Sequence, residues 1–313
     1  MLRVGSVGLG LMGAPISLNV LKKLPEGSQL TVWNRTAAKA EPLVAAGAKL
    51  AATPRDVAAA SDIILTNVTN SADVFELVTR EDGLLAGMAK GSIIVDHSTI
   101  TPDMSRTLAK LCAERGCTFI DAPVSGGQIG ARNGQLAIMV GTDDAAALER
   151  AKPVMGLYAK SITHIGGSGA GQICKCVNQI IVSAQMTAMG EALVFAAKNG
   201  LDAEQQQRVV QAVKGGAAAM WSLDVKPQRL FAGDRSAQFQ IKDNAKDLKI
   251  VLDTAMQDNV RASMPVTALN MQLFQDCMAH DGEAFLDNSA VIAALERMNN
   301  VRIGPAAAAE SKK

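Results

Sequence analysis

The sequence predicts a doubly wound α/β half followed by an all-helical half, with one long helix joining them. Three observations carry this expectation. Up to about residue 164, short apolar runs alternate with amphipathic stretches, the pattern of a parallel βαβ sheet. From Gln172 to Lys198 an alanine-rich helical pattern runs on and closes at Asn199-Gly200. After it, strand signals vanish and helical segments dominate to about Met298. A chain of 313 residues also exceeds what one hydrophobic core usually serves. The reading is therefore a first domain over 1–164, a second over 165–303, and a disordered tail over 304–313.

The elements of the first half follow in order. Strand candidates are Leu2–Val7, Leu30–Trp33, Ile63–Thr66, Ser92–Asp96, Thr118–Asp121 and Leu136–Val140. Thr53-Pro54-Arg55-Asp56 supplies a cap, a proline at the first helical position and an early acid, so a helix should start there. Thr101-Pro102-Asp103 repeats the same logic before Met104–Arg115.

The first strand breaks into Gly8-Leu9-Gly10-Leu11-Met12-Gly13 and then into a helical pattern. Each glycine has a reason. Gly8 permits the tight turn, Gly10 lets the backbone approach a pyrophosphate, and Gly13 lets helix and strand pack closely. The helix start offers N–H groups and a positive dipole end to the phosphates. A Rossmann-type dinucleotide site is the reading, since the motif follows a strand and opens a helix. About twenty residues on, an NAD enzyme carries an acid for the ribose hydroxyls. Here stand neutral Asn34, cationic Arg35 and Thr36, which favours NADP over NAD.

Composition removes several classes of function. A net charge of +1 gives no field for nucleic acid or an anionic membrane. No uninterrupted apolar run approaches the roughly 18 residues of a membrane span. The chain enters its first strand at once, without a signal-peptide pattern, so a cytoplasmic protein is expected. Five cysteines suit reduced, mostly buried thiols. Only His97, His164 and His280 are present, widely spaced, and no metal-ligand pattern emerges.

Four motifs stand in one order: Gly8 to Pro15, Asp121-Ala122-Pro123-Val124-Ser125-Gly126-Gly127, Gly171-Gln172-Ile173-Cys174-Lys175-Cys176-Val177-Asn178-Gln179, and Lys246-Asp247-Leu248. Over about residues 2–298 the chain resembles the β-hydroxyacid dehydrogenase family, which includes 3-hydroxyisobutyrate dehydrogenase and 2-hydroxy-3-oxopropionate reductase. The resemblance implies hydride transfer between a nicotinamide and a small 3-hydroxy acid or its semialdehyde. It makes Lys175 the proton donor in reduction and the base in oxidation. The flanks Ile173, Cys174, Cys176 and Val177 suit this, because a poorly hydrated lysine is more easily deprotonated. It assigns the substrate carboxylate to Ser125, Gly126 and Gly127. Asn178, on the same helix face as Lys175, would bond substrate and lysine. Thr99 and Lys246 would lie near the cofactor, with Asp247 as an orienting partner. The loop at Val68-Thr69 would pass the cofactor too, although relatives often read Leu-Pro there.

Other readings lie nearby. A four-carbon acid dehydrogenase of the L-threonate or succinic semialdehyde type would differ only in its pocket lining. An imine reductase usually lacks the lysine. A non-catalytic dinucleotide-binding protein has little reason to keep Ser125-Gly126-Gly127, Lys175 and Asn178 together. Small and apolar residues at 186–190 and 291–295 exceed what a helical domain needs internally, and a homodimer or homotetramer is expected.

Overall fold

The computed structural model describes residues 2–305; most of the tail expected over 304–313 lies outside the described residues. The chain divides into two compact units, Met1–Lys175 and Cys176–Lys313.

The first unit runs β1 (Arg3–Val7), α1 (Gly13–Lys23), β2 (Gln29–Trp33), α2 (Glu41–Ala45), β3 (Lys49–Leu50), α3 (Pro54–Ala59), β4 (Ile63–Thr66), α4 (Ser71–Thr79) and α5 (Leu84–Gly87). It continues with β5 (Ile93–Asp96), α6 (Pro102–Glu114), β6 (Thr118–Asp121), β7 (Val124–Ser125), α7 (Gly127–Asn133), β8 (Leu136–Gly141), α8 (Ala145–Met155) and β9 (Ala159–Gly166). The strands form one sheet in the order β3-β2-β1-β4-β5-β6-β8-β7, with β9 also paired to β8. Order reverses between β1 and β4, the switch point at which such sheets bind ligands beyond their carboxyl ends.

Period-2 side-chain direction explains why this sheet is covered on both faces. Ile63 and Leu65 of β4 join one core with Ile16 and Val20 of α1, while Ile64 joins the other with Val57, Val74 and Leu108. Ile93 and Val95 of β5 likewise face the first core, and Ile94 faces the second. Strands buried on both faces read as continuous apolar runs, which is how β4 and β5 stand in the sequence. The helix starts follow the expected capping chemistry. Thr53 and Asp56 form a reciprocal capping box ahead of α3, and the Thr101 hydroxyl accepts from the N–H of Met104 at the start of α6.

The sheet differs from the expected all-parallel one at its far edge. β8 runs antiparallel to both β6 and β7, and β3, β7 and β9 were not foreseen. β3 and β7 are two residues each, and β9 carries the polar run Lys160-Ser161 and Thr163-His164, mostly exposed. None of the three has the apolar content that signals a strand.

Helix α9 (Ala170–Lys198) begins in the first unit and continues into the second. The second unit otherwise contains α10 (Ala203–Lys214), α11 (Trp221–Val225), α12 (Pro227–Phe231), α13 (Ile241–Ala255), α14 (Pro265–Met278) and α15 (Ile292–Asn299). Its core gathers Met186, Met189, Leu193, Leu248, Phe274 and Ile292, among others. Buried ion pairs add order there: Lys226 Nζ meets Asp287 Oδ1 at 2.8 Å, and Arg235 meets Glu296 at 2.8 Å.

By length and composition α9 is apolar enough to cross a membrane, although no uninterrupted apolar run in it is long enough. Its buried side chains include the polar Gln172, Lys175, Gln179, Ser183 and Thr187, whereas Ile173, Val177 and Ile181 are about half exposed. A lipid-facing single span would gain nothing from such a buried polar row.

Candidate active site

The glycine-rich turn is built as its spacing implies. Gly8 sits at φ +91°, and a Cβ there would lie 2.2 Å from the carbonyl oxygen of Asn67. At Gly13 a Cβ would lie 1.9 Å from the carbonyl oxygen of Gly8. These two glycines are therefore required by the packing of the turn itself. Gly10 is different: nothing stands within 4 Å of where its Cβ would be. That opening, next to the start of α1 with no acid in its first turn, fits a pyrophosphate. Leu9 packs into the core, Leu11 is exposed and Met12 precedes the helix.

Asn34 closes this turn from the end of β2. Its Oδ1 accepts from the backbone N–H of Leu9 at 2.8 Å, and its Nδ2 donates to the carbonyl of Thr36 at 2.9 Å. Arg35 and Thr36 are exposed beside it. Across the switch point, the Val68 N–H donates to Ser98 Oγ at 2.9 Å, and Thr69 is exposed on the loop after β4. Thr99 is half-buried in the loop after β5. The glycine turn, Asn34–Thr36, Val68-Thr69 and Thr99 thus follow the neighbouring strands β1, β2, β4 and β5, all at their carboxyl ends.

The turn after β7 contains Ser125, half-buried, and Gly126 and Gly127 at φ +130° and +60°. Two successive positive φ values are a glycine conformation. No atom lies within 4 Å of a Cβ at Gly127, so the start of α7 is open on that side. Lys175, on the second turn of α9, is buried, and its Nζ donates to the carbonyl of Val124 at 2.9 Å. The amine is thereby attached to the residue just before Ser125.

His97 is a further titratable group at these strand ends, and both of its ring nitrogens are bonded to protein groups. Its Nδ1 is 2.6 Å from the carbonyl of Ala122 and its Nε2 is 2.8 Å from the Tyr158 hydroxyl. With Nδ1 donating and Nε2 accepting, both nitrogens are used. Burial pushes the imidazole pKa down to about 4, partly opposed by the bond to Ala122, so the ring stays neutral.

In the second unit, Asn178 Nδ2 donates to Gln179 Oε1 at 2.7 Å, and Gln179 Nε2 donates to Asp247 Oδ2 at 2.6 Å. Asp247 also pairs with Lys246 at 2.9 Å. Asp247 is thus an orienting partner of both Gln179 and Lys246. Sequence reasoning did not single out Gln179 or Gln172; spacing from Lys175 along the helix was the available signal.

Two family models match the chain. The model of the NAD binding domain of 6-phosphogluconate dehydrogenase matches residues 3–166. The model described as NAD-binding of NADP-dependent 3-hydroxyisobutyrate dehydrogenase matches 169–295. The chain belongs to the β-hydroxyacid dehydrogenase family. It is 40% identical over 302 residues to the 2-hydroxy-3-oxopropionate reductase of Escherichia coli, covering 96% of this chain and 100% of the relative. Among solved structures, 3-hydroxyisobutyrate dehydrogenase of Mycobacterium tuberculosis with L-serine is similar, with a TM-score of 0.83 at 29% identity, covering 94% of this chain and 99% of that one. Psf3 in complex with NADP+ and 2-OPP has a TM-score of 0.83 at 26% identity, covering 93% and 99%. The dehydrogenase thus has a nicotinamide-dinucleotide fold over its first unit, with residues that fit NAD or NADP.

Two buried carboxyls stand in register at the ends of β5 and β6, Asp96 opposite Asp121. Asp96 Oδ1 accepts from the Thr66 and Ser98 hydroxyls, both at 2.7 Å, whereas Oδ2 has no hydrogen-bond partner among the described residues. Burial raises the Asp96 pKa to about 7 against the lowering effect of those donors, with a smaller upward push from Asp121. Between about pH 4 and 7 the folded dehydrogenase keeps a proton that the unfolded chain releases. Stability therefore falls as pH rises through that window and stays reduced above it. Asp96→Asn keeps the Oδ1 acceptor and removes this loss. Urea denaturation at pH 5 and pH 8 should show the variant gaining on the wild type toward pH 8; a pH-independent difference contradicts the assignment.

Proposed function

We propose that the protein interconverts a small 3-hydroxy acid and its semialdehyde, of the 2-hydroxy-3-oxopropionate or 3-hydroxyisobutyrate type. Lys175 is the general acid in reduction and the general base in oxidation. The observation carrying this is the buried Lys175 amine, hydrogen-bonded to Val124 beside the Ser125-Gly126-Gly127 turn. When bound, the nicotinamide supplies the hydride that reaches the carbonyl carbon. Lys175 gives its proton to the carbonyl oxygen, which becomes the hydroxyl. Ser125 and the backbone at Gly126 and Gly127 bind the substrate carboxylate, and Asn178 bonds a substrate oxygen. Gly8 to Gly13 hold the pyrophosphate. The roles of Val68, Thr69, Thr99 and Lys246 toward the cofactor rest on family resemblance.

Lys175→Ala should lower kcat at least about a hundredfold, the usual worth of general acid catalysis, and leave cofactor affinity nearly unchanged. Lys175→Arg should fail as well, because guanidinium does not release its proton at usable pH. Steady-state rates with tartronate, methylmalonate and succinic semialdehydes test both role and substrate. More than half the activity remaining in Lys175→Ala across pH 6–9 contradicts the role, and a preference for succinic semialdehyde contradicts the substrate class.

NADP(H) is the preferred cofactor in this reading. A carboxylate at position 34 would keep the Leu9 N–H as donor but set its second oxygen against the Thr36 carbonyl and repel a 2′-phosphate. Arg35 meets that phosphate with paired donors. A charge-assisted bond is worth roughly 1.5–3 kcal/mol, or about ten- to a hundredfold in preference. Asn34→Asp should move kcat/KM toward NADH, and Arg35→Ala should weaken NADPH alone. Equal wild-type kcat/KM for both cofactors, unchanged by Arg35→Ala, contradicts it.

The protein acts as a homodimer or homotetramer, without nucleic acid or membrane. The half-exposed row Ile173, Val177 and Ile181, with Phe195 further along α9, supports a covered helix face. Cys112, Cys117, Cys174 and Cys277 stand outside any disulfide, as suits the cytoplasm. Light scattering at micromolar concentration should give at least a dimer, and a monomer contradicts the assembly.

A further inference from the structure

We propose that Asp121 is a positioning residue for the proton-transfer step: its carboxylate fixes the start of α9 and, through it, the place of the Lys175 amine. The inference rests on the reading of Lys175 as the proton donor. Asp121 is the last residue of β6 and is fully buried. Its Oδ1 accepts from the backbone N–H of Gly169 at 2.8 Å, and its Oδ2 from that of Gln172 at 3.0 Å. Both oxygens are thus committed to the first turn of one helix, where N–H groups otherwise lack partners. A carboxylate is also the group that the positive end of a helix dipole favours.

The fit leaves no slack. A Cβ at Gly171 would lie 2.5 Å from the carbonyl oxygen of Met139 and 2.8 Å from both the carbonyl oxygen and Oδ2 of Asp121. One at Gly141, across the sheet, would lie 2.6 Å from each carboxylate oxygen. The helix start therefore seats against β6 and β8 with glycine on both sides of the carboxylate. Gln172 tightens the same seat. Its Nε2 donates to the carbonyl of Ser98 at 2.8 Å, and its Oε1 accepts from the N–H of Ile100 at 3.2 Å. The loop with Thr99 is therefore fastened to the same helical turn.

From Gln172 to Lys175 is three residues, about 4.5 Å of rise along a stiff helix. The Lys175 amine then returns to Val124, three residues beyond Asp121 in the chain. The segment 121–124 thus holds the helix at its first turn and the amine at its tip. Loss of the carboxylate would let the helix start shift, and a displacement of about 1 Å at a reacting group can cost a hundredfold in rate.

Burial pushes the Asp121 pKa up to about 6, against the N–H groups of Gly169 and Gln172, which lower it. At pH 7.5–8 the carboxylate is ionised, and the test belongs there. The comparison is a double-mutant cycle in the full chain, with Asp121→Asn, Lys175→Ala and the pair. Rates are measured at saturating NADPH with 2-hydroxy-3-oxopropionate. Asp121→Asn keeps the volume and should cut kcat at least about tenfold, with KM for NADPH within about twofold. In the Lys175→Ala background the same change should alter the residual rate less than about twofold, because a residue acting through Lys175 has nothing left to act on. Asp121→Ser, smaller and also uncharged, gives the same comparison where the asparagine variant lacks a native melting profile. A wild-type kcat in Asp121→Asn, or an equal loss with and without Lys175, overturns the proposal. Near-wild-type activity in Lys175→Ala overturns the reading of Lys175 instead, so the two failures are distinguishable.

Discussion

The seat of α9 on the end of β6 is the constraint on which the placement of Lys175, and with it the proposed chemistry, depends. A parallel sheet presents its loops at one end, but a loop alone places a reactive amine poorly. Here the amine is carried on a 29-residue helix whose first turn is bonded to a buried carboxylate. Stiffness along the helix converts a fixed start into a fixed second turn. The same turn, through Gln172, ties down the loop after β5. The glycines around it, Gly141 and Gly171, serve closeness of approach rather than flexibility.

Environment divides the buried ionisable groups of these strand ends by role. His97 is locked neutral between a backbone carbonyl and Tyr158 and stiffens the loop that it opens. Asp96 holds the turns after β4 and β5 through hydroxyl and N–H donors, at a cost in stability when it ionises. Asp121 has its oxygens filled by a helix start. These side-chain bonds are all directed to protein groups, as is that of Lys175 to Val124.

The sequence was legible where chemistry is local. Thr53-Pro54 and Thr101-Pro102 announce helix starts because caps act over three residues. The glycine turn was legible because each glycine answers a close approach within one βα unit. Strands β4, β5 and β6 emerged as apolar runs, whereas β9 did not, since its exposed polar residues resemble a loop. The unseen parts of the site are partnerships across long stretches of chain. Nothing near His97 in sequence points to Tyr158, 61 residues on, and nothing near Gln179 points to Asp247, 68 residues on. Asp121 opens the motif Asp121 to Gly127, yet its partners are the N–H groups of Gly169 and Gln172, 48 and 51 residues on.

Helix α9 also explains why composition alone misleads. By length and composition it suits a membrane span, but polar and apolar side chains alike are buried on it, Gln172, Lys175 and Gln179 near its start and Met186, Met189 and Leu193 further along. Ile173, Val177, Ile181 and Phe195 of the same helix stay exposed. The central proposal is chemical: that the Lys175 amine delivers the proton. Rescue of Lys175→Ala by a series of primary alkylamines of graded pKa tests this most directly. The account predicts saturable rescue of kcat, with a rate that changes smoothly with amine acidity. Absence of rescue, or rescue independent of amine pKa, would contradict it.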